Sequence, residues 1–492
     1  MALQEYRIKE FLGIDQSTGE GSIDPGSSPD ACNMDTTDGG LGIAKGYVRH
    51  LEELVPGEKP IRRLFIWQSL VTTRYVVVAG NEVYAYVSTA SEPAWQLVYS
   101  YPEEISSLRF DMAITQIDSV DHLLIACGEH PIIKWDGVSE AVEFGSEDAL
   151  SNIKVNYLAL HYGRLFSAGD PEHPSRLYWS QVPGDGRSIE DWSEDSASVN
   201  SGGGHVEVGD TAGDPITGLC VLSNQLLVFK KRSIYRLLGD RPTNFRVYNV
   251  NAEVEKMQNS ACILYGDIPF WMTGGGLYYF DGQTALRSRK ARNIRTFLKG
   301  ADFSGCRAAK YQDRLYFTAY ESARDVENAG ASRFEDNALV VYDVERQTYM
   351  LRRGFNVADI CFNEGALFMV NSSRRLYRLE EGPDYDGEPI EAYWQTPLTD
   401  LFHKQGIKCL QEMYLRGECE VGAYSAMLLD AQIGGNTHFY RYFLPDTEDD
   451  VLEIPLKSEG RTFSFCFYNE EGSRFKIYNG VQVAFEHRLR TV

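Results

Sequence analysis

A two-strand pattern that recurs along the chain limits the possible folds more than any other feature. It is clearest at Asn224-Gln-Leu-Leu-Val-Phe-Lys-Lys-Arg-Ser-Ile-Tyr-Arg-Leu237. Leu226 to Phe229 is a continuous apolar run, Lys230 to Ser233 reads as a polar turn, and Ile234 to Leu237 is a second strand holding a Tyr-Arg pair. The first strand does not alternate, so both of its faces are expected to be buried. The pattern returns at Arg74 to Val78 with Asn81 to Tyr84, at Leu123 to Cys127 with Ile132 to Trp135, and at Arg164 to Ala168 with Arg176 to Trp179. It returns again at Pro269 to Met272 with Gly276 to Phe280, at Arg314 to Thr318 with Ala338 to Tyr342, and at Ala366 to Val370 with Arg375 to Arg378. Hairpins spaced at roughly 40 to 60 residues fall near the period of propeller blades. Inner strands of a blade lie between neighbouring blades, which accounts for runs that are apolar on both faces. Unrelated hairpins in β-sandwiches are the alternative. The second strand repeats its own signature, an aliphatic residue followed closely by Tyr or Trp, and this favours the propeller. The expected fold is all-β: a β-propeller of about seven blades, followed by a C-terminal β-sandwich.

The order along the chain follows from that pattern. Residues 1–60 are poor in long apolar runs and read as an N-terminal arm and ring-closing segment. Gly19 to Ser28 is rich in Gly and Ser and reads as an extended arm, and Ser28 to Asn33 as the opening of a short helical turn. Gly39 to Tyr47 is expected to be the strand that joins the last blade and closes the ring, since an open ring leaves two exposed edges. Residues 61–380 carry the hairpins. The longest insert, Gly169 to Gly204, is Gly- and Pro-containing, and Ser322 to Asp336 reads as a polar loop. Residues 381–389 read as a linker. Residues 390–492 show short strands, and Phe463, Phe465 and Phe467 alternate with Thr462, Ser464 and Cys466. One face of that sheet is therefore expected to be aromatic and buried. About a hundred residues is the usual size of a β-sandwich. No long helix is indicated.

Composition narrows the function. The net charge is −22, which argues against a general nucleic-acid binder. No stretch approaches 18 consecutive apolar residues, so no membrane span is expected. The start, Met1 to Glu10, has no apolar core of a secretory signal, so synthesis and initial residence in a cytoplasm are expected. The nine cysteines stand singly, without C-x-x-C spacing, and read as free thiols, not a disulfide framework or zinc site.

Chemistry-bearing motifs are sparse. There is no phosphate-binding loop, nucleophile elbow, zinc-protease helix motif or dinucleotide fingerprint. His161 and His173 flank a strand and loop and read as loop residues more readily than as metal ligands. Asp384-Tyr-Asp-Gly-Glu388 has acids at alternate positions before a Gly but lacks the rest of a calcium loop, so it reads as polar linker. The loop Ser180 to Trp192 holds Ser, Asp, Gly and Trp, as in the turn motif of some propeller glycosidases, but once only and with other spacing. No catalytic residue, cofactor site or metal site is assigned, and no enzyme activity is expected. The one dense basic run, with Arg287, Arg289, Lys290, Arg292 and Arg295, is the candidate contact for DNA or for an acidic partner, against the plainer reading of a solvated edge. Glu380-Glu381 and Glu448-Asp-Asp450 are the candidate acidic surfaces.

Three stretches carry a resemblance. Ala31-Cys-Asn-Met-Asp35 with Gly39-Gly-Leu-Gly-Ile-Ala-Lys-Gly-Tyr47 is one. Tyr162-Gly-Arg-Leu-Phe-Ser-Ala-Gly169 with Arg176-Leu-Tyr-Trp-Ser180 is the second. Gly213-Asp-Pro-Ile-Thr-Gly-Leu219 through Ser233-Ile-Tyr-Arg236 is the third. Together they resemble the β-propeller virion proteins of tailed bacteriophages, the tail-nozzle, hub and packaged-DNA stabilisation types. The resemblance spans about residues 1–380. It implies a structural virion subunit of the tail or neck, made in the host cytoplasm and assembled as a symmetric ring of identical copies. Other tail, neck or portal proteins would be its neighbours, and DNA would pass nearby without tight binding. A propeller for host recognition that binds or cleaves carbohydrate is the second reading, because fold alone does not choose function.

Overall fold

The computed structural model describes residues 3–69, 72–88, 94–107, 109–145, 153–209, 214–250, 261–321, 337–354, 356–403, 406–419, 427–433, 436–442, 451–469 and 472–488. The expected loop at 322–336 and the acidic run at 448–450 lie outside them. The chain is all-β and propeller-like. Its one α-helix among the described residues is Arg295–Gly300.

From residue 61 the chain repeats a four-strand antiparallel meander. The first sheet is Ile61–Gln68, Thr73–Ala79, Glu82–Val87 and Trp95–Ser100. The later sheets open on Asp111–Ile117, Tyr157–His161, Ile216–Leu222, Cys262–Tyr265, Ala308–Tyr311 and Val357–Asn363. Every hairpin expected from the sequence is present, as the second and third strands of its sheet. Their two-faced apolar character has a direct cause. Side chains alternate along a strand. Val76 and Val78 of the first sheet enter one core with Leu123 and Ile125 of the second. Val77 and Ala79, between them, enter another core with Val370 and Leu376 of the seventh sheet. The second strand of each sheet thus supplies two seams, and Gln225–Lys230 is buried along its whole length. Burying one Val or Leu side chain is worth about 1.5–3 kcal/mol, so such runs dominate the stability.

The seventh sheet takes its fourth strand from the chain's beginning: Tyr47–Arg49 pairs with Leu376–Leu379. The pairing starts at the last residue of the segment expected to do this. Leu41–Ile43, upstream, pairs instead with Ile477 and Lys476. Residues 382–385 pack on this junction, where Gly46 N–H donates to Gly382 O and Tyr47 N–H to Asp384 O. A Cβ on Gly46 would lie 1.7 Å from Asp384 O, so only glycine permits that approach. Tyr385 is buried and stacks on Tyr47 with ring centroids 5.1 Å apart.

The N-terminal residues differ from the arm read in the sequence. Leu3–Ile8 pairs with the long C-terminal strand Phe475–Arg488. Ala31–Cys32 pairs with Tyr393–Gln395, so two short strands, Ser27–Ser28 and Ala31–Cys32, stand where a helical turn was expected. Ser27, Ser28 and Gln16 are buried. The reason is apolar. Tyr6, Ile8, Phe11 and Ile14 all join one core with the C-terminal strands, and Phe11 packs edge-on against Trp394 at 5.5 Å. The segment therefore completes this chain's own sheets. One C-terminal sheet runs Val451–Gly460, Ile407–Cys419, Phe475–Arg488, and the other includes Met427–Ile433, Phe463–Tyr468 and Tyr393–Gln395. Phe463, Phe465 and Phe467 are all buried in that shared core.

Candidate functional site

The basic run lies at the outer end of the fifth sheet, on the edge strand Ala285–Arg287 and the short helical stretch that follows. Ala291, Ile294, Phe297 and Leu298 face inward and are buried. Arg287, Arg289, Lys290, Arg292 and Arg295 are exposed, and Lys299 joins them. Residues three or four apart share a helix face, so Arg292, Arg295 and Lys299 lie on one side of the helical stretch, and Arg289 and Lys290 lie in the turn before it. None of these cations forms an ion pair among the described residues. The N-terminal segment fixes the stretch. Gln16 Oε1 accepts the N–H groups of Thr296 and Phe297 at 3.0 and 3.2 Å, and Gln16 N–H donates to Asn293 O. The sequence showed the run; the share of Lys299 was readable from the three-to-four spacing, and the anchor from Gln16, 280 residues away, had no local signal.

The first strands of successive sheets face a central cavity of about 480 Å³. Most of its lining residues are apolar in type, with Arg63 and Asp111 among them, but more of the exposed wall is polar than apolar. Asp359 is fully buried and accepts from Arg63 Nη1 at 3.1 Å and from Leu64 N–H at 2.7 Å. Arg307 Nε lies 3.6 Å from the same carboxylate. Burial pushes the Arg307 guanidinium down and Asp359 partly restores it. Asp111 accepts from Met112 N–H and, across the seam, from Leu158 N–H at 2.9 Å. The charged groups of the wall hold strands together. His161, expected at a loop surface, is buried at the end of its strand, and burial lowers its pKa.

A second buried network ties the N-terminal segment to the sixth and seventh sheets. Arg314 donates from both terminal nitrogens to Asp35, at 2.7 and 2.9 Å. Arg352, 1% exposed, pairs with Glu380, 6% exposed, and approaches Asp35 at 3.8 Å. Burial opposes ionisation of Asp35, but the hydrogen bonds and charge of Arg314 outweigh it and hold the carboxyl well below the usual range. Glu380 is thus not the surface acid expected from the sequence; a buried guanidinium neutralises it. Glu381 pairs with Arg378 at 3.2 Å. In the linker, Asp386 takes Arg49, and Asp384 Oδ1 caps Gly387 N–H.

The loop Ser180 to Trp192 folds back on the second sheet, where Lys134 meets Glu190 at 2.6 Å and Trp192 is buried. Arg164 secures its base. It is fully buried, and its guanidinium donates to Ser180 O, Gly202 O and Asn200 O at 2.6, 2.7 and 2.5 Å. Burial pushes its pKa down to about 10.

No protein-family model and no curated protein matches the chain. Among solved structures it is similar to the computationally designed Ika8 protein, at 10% identity over 68% of this chain and 99% of that one, with a TM-score of 0.38. PorZ, a surface component of the type-IX secretion system of Porphyromonas gingivalis, is similar at 11% identity over 73% and 44%, with a TM-score of 0.40. An exo-β-1,3-galactanase from Phanerochaete chrysosporium is similar at 9% identity over 90% and 100%, with a TM-score of 0.31. Likenesses this loose carry no argument about the chain's activity.

Proposed function

We propose that this chain is a structural subunit of a tailed-phage virion, part of the tail or neck through which the genome passes. In this reading the repeated sheets are seven blades of a ring closed by Tyr47–Arg49. The C-terminal strands, with residues 3–43, form a β-sandwich beside it. Identical copies assemble symmetrically against other tail, neck or portal proteins. One observation carries the proposal: the polar residues of the resembling stretches are spent on holding backbone. Asn33 donates to Glu391 O and accepts from Arg353 N–H, Arg164 holds three carbonyls, and Asp214 accepts from Arg232 N–H and Ser233 Oγ. Such motifs suit a scaffold. Gold-labelled antibody against the chain, imaged on purified particles, is expected to mark the tail or neck. Label confined to material free of particles overturns the proposal.

The exposed cations at 287–299 then serve an acidic protein neighbour. The isolated protein is expected to show no micromolar binding to duplex DNA at an ionic strength of about 0.15 M. Salt-sensitive micromolar binding that disappears when Arg287, Arg289, Lys290, Arg292 and Arg295 are changed to Ser would make the chain a DNA clamp instead. Because these heads form no ion pair among the described residues, the five changes should leave stability within about 0.5 kcal/mol of the parent.

Carbohydrate contact for host recognition is the second reading. A groove of about 430 Å³ on the C-terminal sheet favours it, with Tyr414, Tyr478, Asn479 and Gln482 beside Arg7 and Arg416. Tyrosine faces with amide and cationic donors suit a saccharide. Selective retention on a glycan array, lost in Tyr414→Ala and Tyr478→Ala, would support this reading over the first.

A further inference from the structure

Cys220 and Cys262 lie on the innermost strands of the fourth and fifth sheets, Ile216–Leu222 and Cys262–Tyr265. No backbone ladder joins these strands; each pairs only with the second strand of its own sheet. Among the described residues side chains hold the seam, with Cys220 packed among Leu227, Phe229 and Trp271, and Cys262 against the same cluster. Both cysteines line the central cavity. Cys220 is buried and Cys262 is half-buried. The two thiols act on one another: the Cys220 sulfur first, and then burial, raise the Cys262 thiol well above its usual pKa. The thiols of Cys306 and Cys361 lie instead beside Arg307 and beside Asp359 with Arg63. Cys220 and Cys262 thus share one apolar cluster and one cavity wall while belonging to neighbouring sheets.

We propose that Cys220 and Cys262 are an oxidisable pair that closes to a disulfide across the seam when the folded protein meets a low-molecular-weight disulfide such as oxidised glutathione. The more accessible Cys262 reacts first. Its thiolate attacks one sulfur of the small disulfide, forms a mixed disulfide and expels one glutathione thiolate, which takes up a proton. The Cys220 thiolate then attacks the Cys262 sulfur and expels the second glutathione. Two protein thiols are oxidised and one small disulfide is reduced to two thiols. The thiolate is the nucleophile, so the raised Cys262 pKa makes closure slow at neutral pH and faster as pH rises. A reducing cytoplasm keeps the pair open, and an oxidising medium closes it. The inference goes beyond the virion reading and does not depend on it. Closed, the bond would join two sheets that share no backbone ladder among the described residues.

The test uses the full chain, folded, incubated with oxidised glutathione at graded pH and mapped by mass spectrometry without reduction. The expected product is a peptide linking Cys220 to Cys262, appearing faster at higher pH, with a thermal midpoint that rises and returns on adding dithiothreitol. Cys220→Ser should trap a single glutathione on Cys262, and Cys262→Ser should leave Cys220 unmodified. Two free thiols at these positions after oxidation, or a link that forms only in denaturant, would overturn the proposal. Should either variant fold poorly, the peptide map of the parent protein decides alone.

Discussion

Substituting Arg164 by Met is expected to lower the free energy of unfolding by about 3–5 kcal/mol. The change keeps much of the aliphatic stem and its packing, so the loss isolates the guanidinium. That group reaches three backbone carbonyls, of Ser180, Asn200 and Gly202, in a setting where the side chain has no exposure to water. A buried polar group left unsatisfied costs about 1–3 kcal/mol. Three carbonyls set an upper range near the sum, and partial entry of water brings it down. Arg164→Lys should recover less than half of the loss, because an ammonium is a compact donor that cannot reproduce the planar fork. Guanidinium denaturation followed by tryptophan fluorescence would measure both. A loss below about 1 kcal/mol for Arg164→Met would mean that the carbonyls find water and that the lock contributes little.

Glu380→Ala is expected to have a similar effect, about 3–5 kcal/mol, for a different reason. It leaves the guanidinium of Arg352, 1% exposed, with only Asp35 at 3.8 Å for compensation. Removing both partners, in Arg352→Met with Glu380→Ala, should restore much of the loss, since an apolar replacement of a buried pair is often nearly neutral. A double mutant that is as unstable as the sum of the singles would show that the two residues act separately. The neighbouring Asp35 adds an acid response. Its folded pKa lies below the unfolded value, so its contribution is complete above about pH 4 and falls away as pH drops toward the folded pKa. Asp35→Asn should flatten the acid limb of a stability–pH curve.

The hairpins were legible because each second strand is apolar on both faces, a demand that only burial between two layers makes. The first strands were not. They face the central cavity, and residues such as Arg63 and Asp111 break their apolar pattern, although both are structural. Outer strands are short and half wet; Val142–Glu143 has only two residues, both exposed. The N-terminal segment was misread because its anchors Tyr6, Ile8, Phe11 and Ile14 form no long apolar run. The alternation of Tyr6 and Ile8 with exposed Glu5 and Arg7 was a usable strand signal. Of the candidate sites, the basic run was visible as a run. The Arg314–Asp35 pair was not, because its members are 279 residues apart. Nothing local in a sequence announces a pairing over that distance. Glu380 lies only 28 residues from Arg352 but on a different sheet, and it reads as a surface acid until Arg352 is placed beside it.

The pairing of Leu3 with Glu486 sets a schedule for synthesis. A ribosome adds about 5–20 residues per second, so the first strand waits roughly half a minute to a minute and a half for its partner. The early hairpins can form while the chain is still emerging, but the C-terminal sheets cannot be completed until Phe475–Arg488 is made. During that interval Tyr6, Ile8 and Phe11 are without their final neighbours, and the strand is open to capture by other nascent copies. A stop codon a dozen residues before the end of Phe475–Arg488 would therefore leave Leu3–Ile8 without its partner, whereas residues fused after that strand would delay release of the chain without delaying synthesis of the partner.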